Sequence, residues 1–198
     1  MTSSRPHLLI VGNGMACNRL LLQLQTHVPD KFCITVVGME ASGAYNRILL
    51  TPWLSGEISN DELLLQDSDW YTRHEIALHL GDAAVSMDTS AKTLTCQSGK
   101  KFDWDLLVLA LGSQPLIPPV PGCQLKGVMC LRTLKDAGDL VRRCNQAFNT
   151  GGEIAVVGGG VLGLEAACAL RAMGLPVTVI HRDAWLMNRQ LDKEAGER

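Results

Sequence analysis

Aromatic residues are scarce, 5% of 198 positions, and no uninterrupted apolar run approaches the roughly 20 residues that a membrane-spanning helix needs. A soluble chain is expected. An excess of one charge is also lacking: 18 Lys and Arg face 20 Asp and Glu. The net charge of -2 gives no broad attraction to nucleic acid or an anionic bilayer, so any anion must be gripped locally. Paired cysteines are missing as well. The seven cysteines (Cys17, Cys33, Cys96, Cys123, Cys130, Cys144, Cys168) are odd in number, scattered and nowhere at C-x-x-C spacing. That disfavours a disulfide scaffold, a zinc knuckle and a dithiol redox centre, and it fits a reducing cytoplasm. The five histidines (His7, His27, His74, His79, His181) add no ligand spacing, so no metal centre is expected. The early apolar run, Leu8 to Val11, is too short for a secretory core and reads as a first strand.

What is present is 46% hydrophobic residues, ample for buried sheets, arranged in a plan that occurs twice. Leu8 to Val11 enters a glycine turn, Asn18 to Gln25 has helical spacing, and Phe32 to Val37 is apolar and β-branched, as a buried parallel strand should be. From Gly43 to Leu65, Pro52 and Gly56 break the pattern, which predicts loop and short helix. Short strands are expected near Ile76 to Leu80, Ala83 to Met87 and Lys92 to Cys96, together an antiparallel excursion closed by a turn at Ser98-Gly99. Leu106 to Leu111 is another apolar strand. The stretch Pro115 to Gly122 suits neither helix nor inner strand, because proline fixes φ and removes a donor, and it reads as a linker. A helix over Thr133 to Phe148 ends at Gly151-Gly152. A strand from Glu153, a helix over Val161 to Met173 and a strand over Val177 to Ile180 then repeat the opening plan.

Gly158, Gly160 and Gly163 form G-x-G-x-x-G between a strand and a helix, the setting that gives this spacing its meaning. The first glycine makes the turn, the second lets a pyrophosphate approach, and the third lets helix and strand pack closely. The helix N-terminus adds free N–H groups and partial positive charge. In the first unit the same positions are Gly12, Gly14 and Cys17, with a small apolar cysteine where glycine or alanine is usual. Glu40, past the second strand, can accept from a ribose diol. The second unit ends in His181-Arg182, a basic pair compatible with a 2'-phosphate, followed at once by Asp183; the choice between NADH and NADPH stays open. The fold class is therefore α/β with two Rossmann-like dinucleotide-binding units, the second truncated. Residues 1–117 would be the first segment of one domain, 118–150 a linker and helix, and 151–198 the start of the second domain.

The motifs Ala44-Tyr-Asn-Arg-Ile-Leu-Leu50, Leu54-Ser-Gly-Glu57, Trp70-Tyr71, Leu107-Val-Leu-Ala-Leu-Gly-Ser113, Leu131-Arg-Thr-Leu-Lys-Asp136 and Leu186-Met-Asn-Arg-Gln-Leu-Asp192 carry a resemblance. Over essentially the whole chain it resembles the flavin part of NAD(P)H-dependent assimilatory nitrite reductases, within the pyridine nucleotide-disulfide oxidoreductase superfamily. The resemblance implies FAD at Gly12, Gly14 and Cys17, with Glu40 on the adenosine ribose and Arg47 reaching the flavin or its phosphates. It further implies Ala84 and Val85 at adenine, Ala110, Gly112 and Ser113 closing over the cofactor, and Arg132 approaching FAD. Gly158, Gly160, Gly163 and Glu165 would sit at NADH or NADPH. Leu111 stands where that family has threonine. The implied activity is hydride transfer from NAD(P)H to FAD in nitrate assimilation. Electrons would pass to a siroheme and iron-sulfur partner, or to a small redox protein in a rubredoxin- or ferredoxin-type reductase. A non-catalytic FAD-binding fragment is the third reading. A homodimer stays open, and residues 1–198 alone are expected to be inactive because the second sheet is unfinished.

Overall fold

Four consecutive apolar residues, Leu8 to Val11, are all buried, which requires protein on both faces of the strand that carries them. A computed structural model, describing residues 5–197, supplies both faces. Along the chain lie β1 (His7–Val11), α1 (Met15–His27), β2 (Cys33–Gly38), a 3-10 turn (Arg47–Leu49), α2 (Leu50–Leu54), α3 (Asn60–Leu63) and α4 (Ser68–Arg73). Then follow β3 (Ile76–Leu80), β4 (Ala84–Asp88), β5 (Thr93–Cys96), β6 (Lys101–Asp103), β7 (Leu106–Leu109) and α5 (Leu134–Thr150). The last elements are β8 (Ile154–Val157), α6 (Val161–Ala172), β9 (Val177–Ile180) and α7 (Lys193–Gly196). They gather into two compact units. One holds the residues up to Asn46 with Asp61–Gln114; the other holds Arg47–Asn60 with the residues from Pro115 onward.

In the first unit a parallel sheet runs in the order β3-β2-β1-β7. Leu8, Ile10, Ile34 and Val36 face one side, where α1 lays down Cys17, Leu20, Leu21 and Leu24 and α4 contributes Tyr71. The spacing of those α1 residues is that of a single helical stripe. Leu9, Val11 and Val37 face the other side, against Leu94, Cys96 and Trp104. An antiparallel sheet in the order β4-β5-β6 provides Leu94 and Cys96. The structure corrects one expectation: Ile76–Leu80 is not part of the antiparallel excursion but pairs in parallel with β2, Ile34 opposite Ile76. Ile76 is held there by the helical-side core, and Gly81, at φ +75°, turns the chain away before β4 begins. The excursion's third strand is instead β6.

In the second unit, β8 and β9 pair in parallel, Ile154 opposite Val177. Leu54, Cys144, Ala169, Leu170 and Leu175 form its core with Ile154, Val156 and Val177. The segment carrying α2 joins this unit because Leu54 is buried there. The α5 helix starts with a capping box between Thr133 and Asp136 and ends at Gly151 in a left-handed conformation. Residues 111–120 form neither helix nor strand.

Candidate functional site

The first glycine turn is built by the ends of three parallel strands. Gly12 donates its N–H to Val37 O at 2.7 Å, and Ala110 donates to Val11 O at 2.7 Å. Gly12 has φ +107°, and a Cβ there would collide with the Ala110 carbonyl, so only glycine fits. Gly14 differs: a Cβ would meet nothing within 4 Å, and its backbone is extended at the head of α1. Among the described residues no side chain caps α1, and its first turn holds no acid. The free N–H groups there, beside an open approach, suit a pyrophosphate. Cys17 is fully buried in the core under the sheet, and burial pushes its thiol up to about 12. It is a packing residue at the strand–helix contact.

Glu40 follows β2 and accepts a hydrogen bond from the Tyr45 hydroxyl at 2.6 Å. Tyr45 is buried, so it holds one carboxylate oxygen in place. Ala84 pairs with Cys96, and the β4–β5 register shifts between Ala84 and Ser86, leaving Val85 out of the ladder. Such a bulge releases backbone groups for other partners. Gly112, at φ +72°, lies just beyond Ala110. The structure thus brings Gly12, Gly14, Cys17 and Ala110 together around one turn.

In the second unit Gly158 donates to Ile180 O at 2.8 Å with φ +125°. A Cβ on Gly163 would collide with the Gly158 carbonyl, whereas one on Gly160 would meet nothing within 4 Å. No side chain caps α6 among the described residues, and no acid lies in its first turn. His181 Nδ1 accepts the Gly159 N–H at 3.1 Å, while the Arg182 side chain is 91% exposed and lies 3.4 Å from Asp183. Glu165 lines a cavity of about 370 Å³ with Thr51, Ser55, Glu57 and Cys168, apart from the glycine turn in sequence and lining. Arg47 Nη1 donates to Arg132 O at 2.9 Å, so these two expected cofactor residues are brought together in the second unit.

Sequence reasoning assigned no role to Tyr45 or Gly159. Tyr45 sits inside Ala44-Tyr-Asn-Arg, but its bond to Glu40 depends on a loop that has no periodic signal. Gly159 lies at a variable position of the motif, yet a Cβ there would stand 2.5 Å from Leu186 and 2.7 Å from His181.

Two parallel-stranded units, each opening a helix on an uncapped glycine turn, define a protein built for two dinucleotides. The chain belongs to the pyridine nucleotide-disulphide oxidoreductase family, whose pattern matches residues 6–198. It is 40% identical over 192 residues to nitrite reductase [NAD(P)H] of Bacillus subtilis (strain 168), covering 97% of this chain and 23% of that protein. It is 39% identical over 195 residues to the assimilatory nitrate reductase electron transfer subunit of the same organism, covering 97% and 24%. The crystal structure of NADH:rubredoxin oxidoreductase from Clostridium acetobutylicum superposes with a TM-score of 0.82 at 27% identity, covering 97% of this chain and 48% of that one. The chain therefore spans about a quarter of those curated relatives and about half of that solved structure.

Proposed function

We propose that the chain is the cofactor-binding part of a flavoprotein that takes hydride from NADH or NADPH onto FAD and passes electrons to a separate metal-containing protein or domain. The observation that carries this reading is the pair of uncapped helix N-termini behind Gly14 and Gly160, each with open space where a Cβ would stand. Bound FAD supplies the step from two-electron to one-electron transfer; the chain supplies grip and orientation. Gly12, Gly14 and the head of α1 hold the FAD pyrophosphate, Glu40 takes the ribose diol, and the bulge at Val85 offers backbone to adenine. Gly158, Gly160 and Gly163 cradle the nicotinamide nucleotide, with His181 and Arg182 following the strand at its ribose end; Glu165 is assigned to the same nucleotide by the family resemblance alone, since its side chain lines a separate cavity.

The resemblance to nitrite reductases supports a siroheme and iron-sulfur acceptor, and the likeness to a rubredoxin oxidoreductase supports a small redox protein as the second reading. No helix among the described residues is long and apolar enough to cross a membrane. The test is Gly14→Val beside Gly160→Val in the FAD-loaded protein. Both side chains enter open space, so each variant should keep its fold within about 1 kcal/mol. Gly14→Val should lose the flavin absorbance, and Gly160→Val should keep it while losing NAD(P)H binding. Stoichiometric FAD in Gly14→Val would sink the assignment.

A further inference from the structure

We propose that His181 is a positioning residue for the second phosphate turn, holding the Gly159 peptide through an uncharged acceptor where a carboxylate would instead face the ribose, so that the turn admits NADPH as well as NADH. This rests on the reading that the second turn holds a pyridine nucleotide. Gly159 is clamped at both of its polar groups by one segment. Its N–H goes to His181 Nδ1 at 3.1 Å, and its carbonyl accepts the Met187 N–H at 2.8 Å. Met187 is itself fixed in a left-handed conformation, φ +51°, with its carbonyl accepting from Gln190 N at 2.7 Å and Leu191 N at 2.8 Å. The His181 ring and Leu186 occupy the space a side chain on residue 159 would need. The segment that follows β9 therefore sets the shape of the turn directly ahead of Gly160.

The chemistry at the ribose end follows from which atom accepts. With Nδ1 taking a backbone N–H, the ring proton resides on Nε2, which is buried and stands 3.9 Å from Asp183 Oδ2. The imidazole in this geometry carries no charge. A carboxylate at the same place would accept from ribose hydroxyls and repel a 2'-phosphate; His181, turned inward onto Gly159, does neither. Asp183 is engaged by Asn188 Nδ2 at 3.0 Å and lies beside Arg182. Arg182, exposed and 3.4 Å from Asp183, is the cation this segment presents beside the turn.

The test compares His181→Asn, His181→Leu and His181→Asp in the protein with its FAD already reduced by dithionite, so that no hydride moves, with dissociation constants for NADH and NADPH from quenching of nicotinamide fluorescence. Asparagine Oδ1 can accept in place of Nδ1 and should leave both constants within about threefold of wild type. Leucine removes the acceptor and should weaken both by about tenfold, the worth of one hydrogen bond to a buried amide. Aspartate restores an acceptor with charge and should weaken NADPH by about tenfold more than NADH. Exchange of the Gly159 amide proton gives a readout without nucleotide: slow in wild type and His181→Asn, at least about tenfold faster in His181→Leu. If wild type binds nucleotide and His181→Leu binds both forms equally well, or if His181→Asp weakens the two forms equally, the inference is overturned alone. If wild type binds neither nucleotide, the reading of the second turn falls and takes the inference with it. Should His181→Leu fail to fold, the contrast between asparagine and aspartate still decides.

Discussion

At the scale of single residues, position 17 separates packing from chemistry. Its thiol is wholly enclosed beneath the sheet and pushed up to about 12, so it stays protonated and sheltered through the neutral range. Alkylating reagents should leave Cys17 unmodified in the native protein and reach it only on unfolding, as mass mapping would show. Cys17→Gly should cost about 2 kcal/mol in urea unfolding, from glycine within a helix and the lost side-chain volume, while Cys17→Ala should cost about half as much. Tyr45 offers the complementary case, a buried hydroxyl acting through a carboxylate. Tyr45→Phe releases Glu40 from its 2.6 Å partner and should weaken FAD by about tenfold, measured by flavin fluorescence on dilution, with little change in fold.

At the scale of elements, the join between β3, β4 and the β5–β6 hairpin depends on Asp82. Its carboxylate takes the Ser98 hydroxyl, the His79 ring at 2.8 Å and the Ser98 N–H at 3.0 Å. Those bonds, the Ser98 hydroxyl foremost, hold Asp82 at about 2, below its ordinary 3.8. Because the folded group is the stronger acid, the unfolded chain binds more protons between these values. The stabilisation from Asp82 is therefore complete above about pH 4 and lost as the pH falls towards 2. Asp82→Asn should lower stability at neutral pH and flatten its decline between pH 4 and 2, followed by urea unfolding across that range.

The elements also show what a sequence can display. Leu8 to Val11, Phe32 to Val37 and Val177 to Ile180 were legible as strands because they are short runs of apolar and β-branched residues. The partner of Ile76–Leu80 was not, since a strand's composition carries no record of which edge it joins. Lys101–Asp103 went unnoticed because two of its three residues are charged. Gly14 and Gly160 were legible as turn positions from glycine spacing set between a strand and a helix, whereas Tyr45 with Glu40, and Gly159 with His181 and Met187, become partners only once loops without periodicity are folded.

At the scale of the whole molecule, each unit has its own core and its own glycine turn, which predicts separable cofactor binding. Titrating NADPH into Gly14→Val stripped of flavin should give a dissociation constant within about threefold of flavin-free wild type, and FAD should bind Gly160→Val as it binds wild type. Strong cross-effects would show that the two sites share binding energy. The two turns also differ in where they are crowded. In the first, the neighbouring strand's Ala110 carbonyl closes on Gly12; in the second, the turn's own Gly158 carbonyl closes on Gly163. The same spacing thus rests on different residues in the two units. In a library sorted for retained fold, position 17 should accept alanine and serine while position 163 accepts glycine alone, so a fingerprint that insists on three glycines will recognise the second copy and overlook the first.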